Sequence, residues 1–240
     1  MAGGSEYAQE SYLNCGDTMV EYSPLVETVE FAENPEPRCP CVLLLDISRS
    51  MEGRRIAALN AGLQDFRGEL LKDPVAARRV EIAIITFGMT IELAQDFITV
   101  DRFEPPMLTA HGQTPMGGAI STALDLVEAR KRQYREHGIS YYRPWVFMIT
   151  DGEPTDDVVA PGQRLRAEET KHGVAFFAVG IEEADLDRLR TICASDRPPL
   201  MLQGLKFHEM FVWLSASMRR VSQSTGEEQV PLPPAGWARV

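Results

Sequence analysis

Asp46, Ser48 and Ser50 stand at alternate positions directly after the apolar run Val42-Leu43-Leu44-Leu45, so one short turn offers a carboxylate and two hydroxyls. Oxygen donors with a single formal charge among them suit a small hard cation such as Mg²⁺, which takes near-octahedral oxygen shells at about 2.0–2.1 Å and keeps some water. The same residues can also be read as a strand end and a pair of capping serines, because Ser is common before helices. Two later stretches favour the metal. The loop Thr109-Ala110-His111-Gly112-Gln113-Thr114-Pro115-Met116-Gly117-Gly118-Ala119-Ile120 enters a helix and could bring the Thr114 hydroxyl to the same mouth. Trp145-Val146-Phe147-Met148-Ile149-Thr150-Asp151-Gly152-Glu153-Pro154-Thr155-Asp156 is another apolar strand, ending in the Asp151 carboxylate and a forced turn. Asp46, Ser48, Ser50, Thr114 and Asp151 are therefore the candidate ligands, with Mg²⁺ the expected ion and Mn²⁺ or Ca²⁺ the alternatives. Arg49, His111 and Glu153 are the candidate rim.

Side chains from stretches this far apart meet only if the elements carrying them end at one place. The short apolar runs read as central strands of a parallel sheet, and in open α/β sheets the carboxyl ends of the strands face the ligand crevice. Ile56, Leu59, Leu63, Phe66 and Leu70 repeat at helical steps after the first turn, with Pro74 read as the end of that helix. Val80 to Phe87 is a buried strand, and Thr90 to Phe97 alternates as an antiparallel edge partner would. A helix is expected over Met116 to Glu136, its N-terminus directed at the mouth and favouring an anion. Gly112, Gly117 and Gly118 read as loop and packing economy, since a phosphate-cradling loop would want a lysine.

A strand from Trp145 to Thr150 follows, and Asp156 and Asp157 read as a helix N-cap rather than as metal ligands. Helices near Gly162 to Lys171, Ala184 to Ile192 and Lys206 to Ser222 alternate with strands at Val174 to Val179 and Leu200 to Leu202. The expected fold class is α/β: a doubly wound, mostly parallel Rossmann-like sheet with helices on both faces and one antiparallel edge strand. Residues 1–36 read as an arm and linker, in which Leu25 to Phe31 could add a short edge strand before Asn34-Pro35-Glu36-Pro37 breaks the chain. The domain spans 37–222, and a Pro-rich tail, 223–240, should run extended and could dock on the domain or on a partner.

A net charge of −11 without a basic run argues against a nucleic-acid partner. No apolar stretch approaches the ~20 residues that span a bilayer, and the first thirty residues lack the basic-then-apolar order of a signal peptide, so a cytoplasmic protein without a membrane partner is expected. Cys15, Cys39, Cys41 and Cys193 do not have the spacing of a zinc knuckle or redox pair and are expected to be reduced. The histidines are scattered singly.

As a set, Asp46-x-Ser48-x-Ser50, Thr114 and Thr150-Asp151-Gly152 resemble the metal-ion-dependent adhesion site (MIDAS) of von Willebrand factor A (VWA) domains. Phe31-Ala32-Glu33-Asn34-Pro35-Glu36-Pro37-Arg38, Cys39-Pro40-Cys41, Pro144 to Asp156, Gly204-Leu205-Lys206-Phe207 and Trp213-Leu214-Ser215 resemble the bacterial TerY/YegL-like branch in particular. The resemblance implies a VWA fold and binding of a partner's Asp or Glu through the metal. It also implies a role in a tellurite or stress-response system, with a Ser/Thr kinase and a PP2C-type phosphatase as partners. One departure is plain: Arg49 stands where the family usually has Gly, a residue that tolerates backbone angles costly to others. Arg49 could repel the cation or reach over the rim to hold a partner's carboxylate; retained binding with altered affinity is the expectation. The competing class is a Mg²⁺-dependent aspartyl-phosphate phosphatase. Such an enzyme wants a second Asp two residues after the first as general acid, and that position is Ser48. No Gly-x-Ser-x-Gly elbow frames Ser48 or Ser50 for a serine hydrolase. A binding module rather than an enzyme is expected.

Overall fold

A computed structural model describes residues 31–224 and 230–239. The polar arm and most of the strand expected at Leu25 to Phe31 lie outside the described residues. Phe31 itself belongs to a helical turn, 31–33, in a first unit that ends at Pro35. The second unit begins at Glu36 and carries all that follows.

Seven strands form one sheet: β1 (Cys39–Asp46), β2 (Val80–Phe87), β3 (Ile91–Thr99), β4 (Trp145–Thr150), β5 (Ala175–Ile181), β6 (Leu200–Leu202) and β7 (Ala238–Arg239). Between them run α1 (Arg54–Leu71), α2 (Pro74–Arg79), α3 (Met116–Glu136), α4 (Val159–Thr170), α5 (Leu186–Arg190) and α6 (Phe207–Gln223), with a 3-10 turn at Arg49–Met51. The strand order is β3-β2-β1-β4-β5-β6-β7. β1 is parallel to both β2 and β4, Leu43 facing Ile84 on one side and Phe147 on the other. The chain therefore winds outward in both directions from β1, and Asp46 stands at the topological switch point, where ligands of open α/β sheets bind.

Alternate residues of β1 feed the two cores, as a period of two requires. Leu43 and Leu45 pack with Leu59, Leu63 and Phe66 of α1 and with Phe207, Phe211 and Leu214 of α6. Val42 and Leu44 pack with Ile120, Leu124 and Val127 of α3 and with Leu165 of α4. Every residue of β1 and β2 is buried, which is why their sequences are mostly apolar rather than alternating, with Asp46, Glu81 and Thr86 the polar exceptions. β3 pairs antiparallel to β2, as its alternation indicated.

Pro74 does not close the first helix. α1 ends at Leu71, Asp73 accepts hydrogen bonds from the Val75 and Ala76 amides at 2.9 and 3.1 Å, and Pro74 opens α2. A proline at the first helical position lacks only an N–H that would have no intrahelical acceptor, so it starts a helix as readily as it ends one. The Pro-rich tail docks on its own domain. β7 adds an antiparallel edge beside β6, Trp237 is buried against Trp213 with ring centroids 5.5 Å apart, and Trp213 Nε1 donates to the Pro233 carbonyl at 2.7 Å.

At the amino ends of β1 and β2 lies a buried ionic cluster. The Glu81 carboxylate accepts from Arg38 Nε at 2.7 Å, from Arg130 Nη2 at 2.9 Å and Nε at 3.0 Å, and from the Tyr134 hydroxyl. Both carboxylate oxygens are saturated, which is the condition under which a charge persists in an apolar interior.

Candidate metal centre

The turn after β1 is held from both sides. The Ile47 amide donates to the Phe87 carbonyl at 2.9 Å, and the Ile47 carbonyl accepts from the His111 amide at 2.6 Å, so the ends of β1 and β2 and the 109–115 loop are stitched together. The Ser48 amide turns back to Asp46 Oδ1 at 2.8 Å. Ser48 occupies the N-cap position of the 3-10 turn, yet its side chain caps nothing. Its Oγ lies 2.9 Å from Ser50 Oγ, and Ser50 Oγ donates to Asp151 Oδ1 at 2.7 Å. The serines are committed to each other and to a carboxylate 101 residues away rather than to a helix.

Thr114 reaches the same place from the third stretch. A Cβ on Gly152 would sit 2.8 Å from Thr114 Oγ1 and 3.6 Å from Asp46 Oδ2, so the Thr114 hydroxyl and the Asp46 carboxylate border the same space, which a side chain at 152 would fill. The Thr114 carbonyl accepts from the Met116 and Thr155 amides at 2.7 and 2.9 Å, fixing the loop across the turn after β4. All five candidate ligands, Asp46, Ser48, Ser50, Thr114 and Asp151, are thus brought to one mouth. All but Ser50 are buried, and Ser50 is exposed at its lip.

Asp46 is the electrostatic centre of the group. Burial pushes its carboxyl up to about 6, and the nearby Asp151 charge acts in the same direction. Hydrogen bonds from Ser48 and from Thr150 Oγ1, the latter at 2.6 Å to Oδ2, pull it back down. Among the described residues no cation bonds Asp46, whereas Asp151 Oδ2 accepts from Arg55 Nη1 at 2.6 Å. Arg55 Nη1 also donates to the Ser50 carbonyl at 2.8 Å, and Arg55 Nε donates to Glu182 at 2.5 Å. The donor set consists of carboxylate and hydroxyl oxygens without histidine or cysteine, which fits a hard divalent ion and not a thiolate- or imidazole-seeking one. Among the described residues no cluster of three or more His, Cys, Asp or Glu offers a competing site.

The rim is mixed. Arg49 lies in the 3-10 turn with its amide to the Gly112 carbonyl at 3.3 Å, and it is absent from the residues of positive φ, so the backbone there accommodates a side chain without strain. His111 is half-buried, its Nδ1 3.0 Å from the Thr109 carbonyl, and Glu153 is exposed on the turn after β4. Asp156 caps α3, not the helix that follows it: its carboxylate accepts from the Gly117 and Gly118 amides at 2.9 and 2.7 Å. The anion expected at that N-terminus is therefore the chain's own. Asp157 does serve the start of α4, accepting from the Val159 amide at 2.9 Å. Sequence reasoning had Thr150 only as part of the Thr150-Asp151-Gly152 motif, without its bond to Asp46, and missed Arg55 and Glu182. The only signal for Arg55 is its distance of about one helical turn and a half from Ser50, and for Glu182 there is none, because a fold contact supplies the pairing.

A family model described as the von Willebrand factor type A domain matches residues 41–204, a span that contains every candidate ligand. The chain belongs to the VWA family. This VWA domain is 26% identical over 129 residues to the collagen alpha-5(VI) chain of Mus musculus, a match covering 51% of this chain and 5% of that one. Proximal thread matrix protein 1 from the mussel byssus, in a structure with a zinc-occupied MIDAS motif, is 15% identical with a TM-score of 0.53, over 78% of this chain and 49% of that one. The pilus adhesin SpaC from Lactobacillus rhamnosus GG is 13% identical with a TM-score of 0.60, over 79% of this chain and 31% of that one. These relatives are longer proteins, of which this chain spans half or less. At such identities the two structures speak for the VWA fold alone. Among the described residues no helix is long and apolar enough to cross a membrane.

Proposed function

We propose that this VWA domain is a metal-dependent protein-binding module whose ion is held by Asp46, Ser48, Ser50, Thr114 and Asp151. The reading rests on one observation above all. The Asp46 carboxylate is buried, without a cationic partner among the described residues, and surrounded by hydroxyl oxygens delivered from three separate elements at the switch point of the sheet. A bound divalent ion would supply the missing positive charge and an electrophilic position open to a carboxylate of a partner protein. Mg²⁺ is the proposed ion, with Mn²⁺ or Ca²⁺ as substitutes, on the hardness of the donors. The zinc-occupied MIDAS motif of the byssus protein supports occupancy of such a site by a divalent ion.

On the residues quoted for the TerY/YegL-like branch, we place the chain in a bacterial, cytoplasmic tellurite or stress-response system, with a Ser/Thr kinase and a PP2C-type phosphatase as partners. We further propose that it is not an enzyme. Ser48 stands where an aspartyl-phosphate phosphatase needs its general acid, and a serine hydroxyl does not protonate a leaving group near neutral pH.

Calorimetric titration of Mg²⁺ and Mn²⁺ into chelator-stripped protein tests the core of this reading. Saturable binding in the native chain, weakened at least about 100-fold by Asp46→Ala, is the expected result. Heats indistinguishable between the two proteins would sink it. Turnover of p-nitrophenyl phosphate that depends on Asp46 would put the enzyme in its place.

A further inference from the structure

Arg49 is exposed in the middle of the ligand turn, between Ser48 and Ser50, and its side chain makes no hydrogen bond or ion pair with any described residue. Arg55, on the other side of Ser50, is fully engaged by Asp151, Glu182 and the Ser50 carbonyl. An uncommitted guanidinium beside a metal mouth is notable in a chain of net charge −11. With a divalent ion in place, the charges of Asp46, Asp151 and Glu182 are offset by the ion and by Arg55, leaving the mouth neutral before Arg49 is counted and at net +1 with it. A partner carboxylate spent on the ion leaves the donors of that guanidinium without an acceptor.

We propose that the partner segment carries two acidic side chains, one for the metal and a second, close by, for Arg49. The inference rests on the metal-dependent reading above and adds the partner's chemistry. An extended segment places same-side residues about 6.6 Å apart, which is within the reach of an arginine side chain rooted one residue from two of the ligands. An Asp or Glu two positions from the metal-binding carboxylate therefore meets the guanidinium, which accepts carboxylates in a bidentate fork. Arg49 is in this sense a specificity-determining residue: it selects an acidic-x-acidic segment over a singly acidic one.

The probes are blocked peptides, acetyl-Ala-Gly-Asp-Ala-Asp-Gly-Ala-amide and its two variants with either Asp replaced by Asn. Each is titrated at low salt into the full chain with saturating Mg²⁺ or Mn²⁺, and again with EDTA. The doubly acidic peptide should bind about threefold to fivefold more tightly than the better singly acidic one, the scale of one solvent-exposed charge pair. That gap should close in Arg49→Gln, persist in Arg54→Gln, and narrow in 0.5 M NaCl. Equal binding of the peptides to the native chain overturns the inference and leaves metal-dependent recognition standing. A gap that survives Arg49→Gln, or that vanishes instead in Arg54→Gln, also overturns it. Binding of no peptide, or binding that EDTA leaves unchanged, removes the metal-dependent reading and the inference with it.

Discussion

The two ends of the same sheet treat a buried carboxylate in opposite ways. At the amino ends Glu81 is closed: two guanidiniums and a phenol fill both of its oxygens. At the carboxyl ends Asp46 is open: among the described residues it receives a backbone amide and the hydroxyls of Ser48 and Thr150 but no cation, and burial lifts its carboxyl to about 6. Both residues are fully buried, so burial does not separate them. What separates them is residual capacity to accept positive charge. A saturated carboxylate is a staple, whereas one left without a counter-charge is a place for an external cation.

That contrast makes predictions of opposite sign. The largest effect belongs to the closed end, where Glu81→Gln removes the buried carboxylate that Arg38 and Arg130 share. The domain should lose about 3–5 kcal/mol of stability in urea or thermal unfolding, while its metal affinity stays within a few-fold of native. A loss below 1 kcal/mol would break the comparison. Next comes the open end, where Asp46→Asn removes a charge that the metal-free fold is obliged to bury. Stability of the chelator-treated protein should rise, on the order of 1–3 kcal/mol at pH 7.5, even as metal binding disappears. A destabilised Asp46→Asn would show that the carboxylate is satisfied after all.

The smallest effect is that of pH. Because the Asp46 carboxyl sits near 6, above its ordinary range, the metal-free native state holds a proton there that the unfolded chain has already released. This group therefore favours the fold below about pH 4, and its contribution is withdrawn as pH rises through 6. Metal binding runs the other way, since the ion needs the carboxylate, and Mg²⁺ affinity should be about fourfold weaker at pH 5.5 than at pH 7.5. A flat affinity profile across that interval would remove Asp46 from the ligand set.

Much of the frame was legible because its signals are local. β2, β4 and α3 have the limits that their apolar runs and helical period indicate, Val80 to Phe87, Trp145 to Thr150 and Met116 to Glu136. Local signals misled where a residue type has two uses. Pro74 is compatible with the end or the start of a helix, and only Asp73 folding back on the Val75 and Ala76 amides settles which. Asp156 precedes one helix and caps another, because the turn after β4 lies across the N-terminus of α3. Glu81 left a trace in the sequence, a single charge inside an apolar strand, but its partners come from 43 to 53 residues away and carry no pattern that points to it.

The sequence by itself determined the donors. Asp46, Ser48 and Ser50 share a turn, Thr114 precedes its helix and Asp151 follows its strand, and the chemistry of hard oxygen ligands is a property of residue types that no fold alters. Tertiary structure alone decided what each donor has left to give. Parallel pairing of β1 with β2 and β4 brings the three stretches to one crevice, Gly152 leaves open the space that Thr114 and Asp46 border, and Arg55 takes up Asp151 while Asp46 is left without a cation among the described residues. Charge compensation depends on through-space distance and burial, and neither quantity is encoded at any one position of the chain.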